Sequence, residues 1–434
     1  MLNSRLLTAI ITNNKAMKNV ASFICFCFML FILSVTEMTG QNGKSWSAPV
    51  QAVEKLSKDK SGFIYSEEKV PSYTLPDLLI SGKGTKITSA DMWNTIRRPE
   101  ILELFRENVF GKVPETKYNE TFRIVRLDQN SMGGTAIEKQ IEILIQSSGK
   151  SLSFSMTLFT PKNAGHPVPV FLLIDPWLAD TTGPHWMQKD EYWPVDAALK
   201  RGYGMAVFST IPLDPDNFDD FKNGIHGLLD KSPRPSDAWG TLAAWAWGAS
   251  RCLDYLITDK DVAADKVAVA GHSRAGKTAL WAGAQDTRFA MVISNESGAG
   301  GAALARRRFG ETVARLNSVF PHWYCSNYSK FNNNEDKLPV DMHMLLALTA
   351  PRALYIDCAD EDLWGDPKGS YLSLYYAQPA YKLFGLNPGL SLNMPPLNQQ
   401  VISSKIGFHI RDGVHNLLLR DWNCFMDFAD KVLK

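Results

Sequence analysis

Apolar and polar residues alternate with a period of two along Thr121–Leu127, Ile137–Ile145 and Leu152–Thr160, and Ser147-Ser-Gly-Lys separates the last two segments. This pattern predicts half-buried antiparallel strands, two of them joined as a hairpin. Two unbroken apolar runs follow, Val168–Ile174 and Gly204–Phe208, as expected of strands buried on both faces. Beyond them the period changes. Ala238–Ile257 is rich in Ala and Trp and predicts a long helix, followed by a strand at Val267–Ala270, a helix at Lys277–Ala284, and strands at Ala290–Ser294 and Ala353–Asp357. Upstream, Trp93, Ile96, Ile101, Leu104, Phe105 and Val109 recur at helical spacing over Thr88–Val109, with Ser89 placed to cap the helix. Leu417–Leu433 is an amphipathic helix. Antiparallel strands leading into strand–helix alternation predict a single α/β domain with a mixed, mostly parallel sheet between two helical layers. The region Pro176–Asp220, with several Pro, Trp and Asp residues, is loop-rich, and such segments either line a site or merely connect elements.

One segment falls outside that scheme. The apolar run Val20–Val35 follows Lys15 and Lys18 and precedes small and polar residues. It is shorter than the ~20 residues of a spanning helix, and so reads as an export signal over residues 1–40, with Met17 where such a signal would begin. Residues 41–434 are then the exported domain, secreted or periplasmic and without stable membrane insertion. Charge adds an exclusion: 46 basic residues against 45 acidic ones leave no excess for neutralising phosphates, so no nucleic acid partner is expected. Beyond the signal lie Cys252, Cys325, Cys358 and Cys424, whose wide spacing suits either disulfides or buried thiols. Neither C-x-x-C nor H-E-x-x-H occurs, so no metal is called for.

The chemistry concentrates in Val267-Ala-Val-Ala-Gly271-His-Ser273-Arg-Ala-Gly276-Lys277-Thr278, a short strand, a Gly-flanked turn and a helix start. On one reading Ser273 sits on a nucleophile elbow, its hydroxyl projecting from the sheet and helix N–H groups behind it ready for an oxyanion. The spacing departs from G-x-S-x-G by one residue. On the other reading, Gly271-x-x-x-x-Gly276-Lys277-Thr278 is a phosphate-binding P-loop. Strands that precede the turn, and Met291-Val-Ile-Ser-Asn-Glu296 without an Asp after its apolar run, weigh against it. A nucleophilic serine needs a base. His322, His343, His409 and His415 follow it in the chain; His415, in a Gly-containing loop before the last helix, fits best, and His409 in the apolar run Ile406–Ile410 is second. His272 adjoins the serine and is expected to point elsewhere. The acid stays open among Asp360, Glu361 and Asp362 after one strand and Glu296 after another.

The full pattern resembles carbohydrate esterase family 15, the glucuronoyl esterases, in its bacterial branch. The family's G-[CH]-S-R-x-G-K motif is Gly271-His-Ser-Arg-Ala-Gly-Lys277 here. The likeness continues through Asn295-Glu-Ser-Gly-Ala-Gly-Gly301, Arg306-Arg-Arg-Phe-Gly-Glu311, Phe320-Pro-His-Trp323, Leu338-Pro-Val-Asp341, Ala350-Pro-Arg352, Asp362-Leu-Trp-Gly-Asp-Pro367 and Arg411–His415. The resemblance implies an α/β-hydrolase fold and a cofactor-free, monomeric serine esterase acting on esters of (4-O-methyl-)glucuronic acid, as in lignin–xylan cross-links. It further implies Ser273 as nucleophile, His415 as base, Glu296 and Asp362 as acids, Arg274 as an oxyanion donor, and Lys277, Glu311 and Trp364 as uronate contacts. An acetyl-xylan or other carbohydrate esterase on the same fold is the nearest alternative.

Overall fold

The period-two segments form the hairpin and its neighbour. A computed structural model describes residues 45–178 and 191–434; the export signal expected over residues 1–40 lies outside them, as does part of the long loop after Pro176. Strands β1 (Asn119–Asn130), β2 (Ala136–Ser147) and β3 (Lys150–Pro161) pair antiparallel. The β2–β3 turn places Ser148 (φ 50°) and Gly149 (φ 78°) in the left-handed region, the conformation a two-residue hairpin turn needs to match strand twist.

The unbroken apolar runs become the centre of the sheet. Strands β4 (Val168–Asp175), β5 (Gly204–Ser209), β6 (Val262–His272), β7 (Met291–Asn295), β8 (Ala353–Ala359), β9 (Val401–Ser403) and β10 (Ile406–Arg411) complete it. Among the described residues the order is β1-β2-β3-β5-β4-β6-β7-β8-β10-β9, with β5, β4, β6, β7, β8 and β10 parallel. Every residue of β4 and β5 is buried, and successive ones face opposite layers. Val170, Leu172 and Ile174 join the core under helices Thr241–Leu256, Arg274–Gln285 and Pro367–Lys382. Phe171 and Leu173 join the core under Val195–Lys200 and Leu419–Val432. This is the expected three-layer arrangement.

Some elements differ from the sequence reading. The helix expected over Thr88–Val109 spans residues 90–110, capped by Ser89 accepting from the Met92 N–H, but α-turns alternate with wider π-turns at Trp93–Arg97 and Arg106–Phe110. Strand β6 begins five residues before the expected Val267, through the polar Ala264-Asp-Lys266 stretch. Helix Pro367–Lys382 was not anticipated: it is buried around most of its circumference, which erases an amphipathic period. The four described cysteines are free thiols, so the open disulfide question resolves to unbridged side chains.

Trp281 anchors the helix behind the elbow, fully buried with its ring stacked 4.4 Å from Phe110. Trp281→Ala is expected to lower unfolding free energy by about 3–5 kcal/mol in urea titration; a loss below about 1 kcal/mol would contradict this packing account.

Candidate active site

Ser273 connects β6 to helix Arg274–Gln285 with φ 56° and ψ −122°, a left-handed conformation that a residue with a Cβ adopts only under constraint. Its N–H donates to Asn295 O at 2.9 Å, and its carbonyl accepts from Gly276 N–H at 2.9 Å and Lys277 N–H at 3.2 Å. The glycines stand where the turn leaves no room. A Cβ at Gly271 would lie 2.1 Å from Ala275 O; at Gly276 it would lie 2.9 Å from Asn295 O and 3.0 Å from Gly271 O. The second glycine therefore belongs at 276, where the helix passes the end of β7, and residue 275 can be alanine.

The histidine arrives from the loop after β10, three strands along the sheet from β6. Loop 412–418 follows β10, and within it His415 Nδ1 lies 2.7 Å from Asp362 Oδ2 and 3.0 Å from Glu296 Oε2. Both acid positions left open by the sequence thus meet the same ring nitrogen. Glu296 follows β7, itself left-handed (φ 47°), and its carboxylate is fully buried; it also accepts the Asn416 N–H at 2.9 Å and a short bond from Arg411 Nη2. Asp362 follows β8 and is slightly more open. With Nδ1 engaged by both carboxylates, Nε2 is the other nitrogen of the ring, the one the expected base would use. The His415 ring packs against His272, centroids 4.4 Å apart, and His272 immediately precedes Ser273.

The charges tune one another. Burial raises the Glu296 carboxyl to about 7, against the hydrogen bond and charge of His415 and the charge of Arg411. Burial opposes a charged His415, but hydrogen bonds to Asp362 and Glu296 outweigh it and lift the imidazole to about 9. Burial, reinforced by the nearby His415 charge, holds His272 down at about 3, so it is neutral; its Nδ1 is bonded to Asn295 Oδ1. Contrary to expectation, this side chain does not point away but lies against His415.

The remaining candidates fall into two groups. Lys277 is buried, with its ammonium donating to Ser297 O and Ala299 O at 2.6 Å each and lying 3.7 Å from Glu311 Oε2. Glu311 N–H donates to Trp364 O at 3.0 Å, so Lys277, Glu311 and Trp364 form one cluster. One side of the Trp364 ring is occupied: Lys60 Nζ lies 3.8 Å from its centroid and Phe63 meets it edge-on. These contacts correct the P-loop alternative. A P-loop lysine gives its ammonium to a nucleotide's terminal phosphates, whereas Lys277 commits two of its three N–H groups to the carbonyls of Ser297 and Ala299, and the Thr278 hydroxyl bonds Arg274 O at 3.0 Å. Arg274 pairs with Asp216, a residue the sequence reading did not single out.

The other histidines are committed elsewhere. His409 Nε2 is bonded to Asp421 at 2.9 Å and its Nδ1 to Tyr355; His322 bonds Asp216, and His343 bonds Pro76 O. Ligand atoms of His272, Glu296 and His415 lie within 4.8 Å of one another, as do those of Asp357, His409 and Asp421. Arg411 is bonded to Glu296 in the first group and Asp421 in the second, and a fixed cation there opposes a second one.

A strained serine at the carboxyl end of a central parallel strand, with a carboxylate-backed histidine packed against the residue before it, is the arrangement of an α/β-hydrolase. The family model described as "Glucuronyl esterase, fungi" matches residues 234–385. Carbohydrate esterase MZ0003, from an unknown prokaryotic organism, is 41% identical over 403 residues, covering 85% of this chain and 92% of that protein. A solved promiscuous CE15 esterase from a marine bacterial metagenome superposes with a TM-score of 0.77 at 41% identity, over 86% of this chain and 100% of that one. The 4-O-methyl-glucuronoyl methylesterase of Schizophyllum commune is 28% identical, over 72% of this chain and 74% of that protein. The chain belongs to carbohydrate esterase family 15, the glucuronoyl esterases, and is a carboxylic ester hydrolase.

Two carboxylates on one nitrogen give a pH signature. For His415 as the expected base, which must be unprotonated to accept a proton, kcat/KM is expected to rise with pH through about 9. Asp362→Asn removes one of the groups that stabilise the imidazolium and is expected to move that rise to lower pH. A pH–rate profile with an unmoved midpoint would contradict the assignment.

Proposed function

We propose that the chain is an exported, monomeric serine esterase that hydrolyses esters of glucuronic acid or 4-O-methyl-glucuronic acid, such as those linking xylan to lignin alcohols. The observation that carries the reading is His415, held at Nδ1 by Glu296 and Asp362 and packed beside the elbow that bears Ser273. His415 Nε2 takes the Ser273 proton as Oγ attacks the ester carbonyl. The resulting oxyanion is met by the Arg274 guanidinium and by N–H groups at the helix start, which lack intrahelical partners. Collapse of the tetrahedral intermediate expels the alcohol, which takes the proton back from His415. Water, deprotonated by the same imidazole, then cleaves the glucuronoyl–Ser273 ester and restores the serine.

The Lys277–Glu311–Trp364 cluster gives the uronate its contacts. The 3.7 Å gap between the ammonium and the Glu311 carboxylate is one that a sugar hydroxyl can bridge, donating to Glu311 and accepting from Lys277. Trp364 supplies an apolar edge, since its ring is already flanked by Lys60 and Phe63. Among the described residues no helix is long and apolar enough to cross a membrane. The described promiscuity of the metagenomic relative supports a second reading, a carbohydrate esterase of broader ester range.

Ser273→Ala is expected to abolish hydrolysis of benzyl glucuronate while leaving the thermal unfolding midpoint unchanged. Near-normal turnover by that variant would refute the mechanism. An acetylated xylooligosaccharide assayed beside it separates the two substrate readings: faster deacetylation than glucuronate ester cleavage would favour the broader esterase.

A further inference from the structure

Behind the elbow sits a carboxylate for which the mechanism above has no role. Asp216 lies on the loop that follows β5, and its two oxygens collect three donors from two separate parts of the chain. Oδ2 pairs with Arg274 Nη1; Oδ1 accepts from His322 Nε2 at 2.9 Å and from the Trp323 indole N–H at 2.7 Å. The Arg274 guanidinium is at the same time enclosed by rings: its carbon lies 4.9 Å from the Trp323 centroid, 5.3 Å from Phe320 and 5.6 Å from Trp177. Phe320 and Trp323 are themselves stacked at 3.8 Å and 3°, so the walls of this slot brace one another.

We propose that Asp216 is a positioning residue of the esterase site, fixing the Arg274 guanidinium in the Trp323–Phe320–Trp177 slot at the orientation in which it meets the oxyanion. The inference rests on Arg274 acting as an oxyanion donor. An arginine carries many rotamers, and a donor that must be found among them at each turnover loses most of its worth. Asp216 removes that freedom before substrate arrives. Burial works against its charge, yet the bonds from His322, Trp323 and Arg274 hold it down at about 2, so the anchor is ionised throughout the neutral range. The alternative role for an acid here is to neutralise Arg274 and weaken it. The two roles predict opposite signs on removal.

The oxyanion exists only on the way through the transition state, so a misaligned donor lowers kcat and leaves KM in place. The test is steady-state kinetics of the full chain on benzyl glucuronate for Asp216→Asn, Arg274→Ala and the double variant. Asp216→Asn is expected to lower kcat roughly 10–100-fold with KM within about twofold. The double variant is expected to match Arg274→Ala alone, because an anchor has nothing to hold once the guanidinium is gone. Should Asp216→Asn fail to fold, Asp216→Glu keeps the charge while displacing the guanidinium, and the same loss of kcat is expected of it. Wild-type or raised kcat on removing Asp216 overturns the inference, and so do losses that multiply in the double variant. Wild-type kcat in Arg274→Ala would instead defeat the oxyanion reading beneath it.

Discussion

Arg411 is the contact on which the assembly of the site depends. Its guanidinium is 1% exposed and donates to Glu296, to Asp421, and to the carbonyls of Asp412, Val414 and Asn416. One side chain therefore binds the end of β10, the acid beyond β7, the start of the last helix and the loop that carries His415. Asp421 extends the anchor by accepting from the Leu418 N–H and from His409. Breaking a buried pair of this kind costs about 3–5 kcal/mol. A left-handed non-glycine residue costs about 1–3 kcal/mol. Removing either partner would therefore leave the other charge buried and unpaired beside Glu296, whose left-handed backbone already carries strain.

The topology explains why these groups converge. Ser273 follows β6, Glu296 follows β7, Asp362 follows β8 and His415 follows β10, and these four strands are consecutive neighbours in the parallel part of the sheet. Residues separated by 142 positions in the chain meet because each leaves the same carboxyl edge one strand apart. The twin carboxylates at His415 follow from the same geometry: each of the strands between the serine and the histidine ends in an acid that reaches Nδ1. Glu296 is the buried, Arg411-bound member and Asp362 the more open one, so the imidazolium is stabilised from two environments at once.

Much of this was legible in the sequence, for physical reasons that vary by element. The β2–β3 hairpin and the runs of β4 and β5 show their burial directly in the apolar pattern, and the elbow is marked by glycines whose absence of a Cβ the turn requires. The different settings of His415 and His409 were legible too: the one in a polar loop meets two carboxylates, and the one in an apolar strand is bonded inside the core. What stayed hidden depends on distances across the sheet. No spacing reveals that Glu296 and Asp362 share one nitrogen, or that Lys277 turns its ammonium into the carbonyls of Ser297 and Ala299. Asp216 was missed because a lone acid in a loop has no periodic signature; its sequence signal was membership of the loop-rich region Pro176–Asp220. Helix Pro367–Lys382 was missed for the opposite reason, burial so complete that polar and apolar faces no longer alternate.

The account stands on Ser273 being activated by His415, and covalent trapping tests this most directly. The chain would be treated with a fluorophosphonate, the adduct located by peptide mass spectrometry, and its rate of formation compared with that of His415→Ala. The account predicts one adduct, on Ser273, forming far more slowly without the imidazole. An adduct on another residue, or an equal rate in the variant, would contradict it.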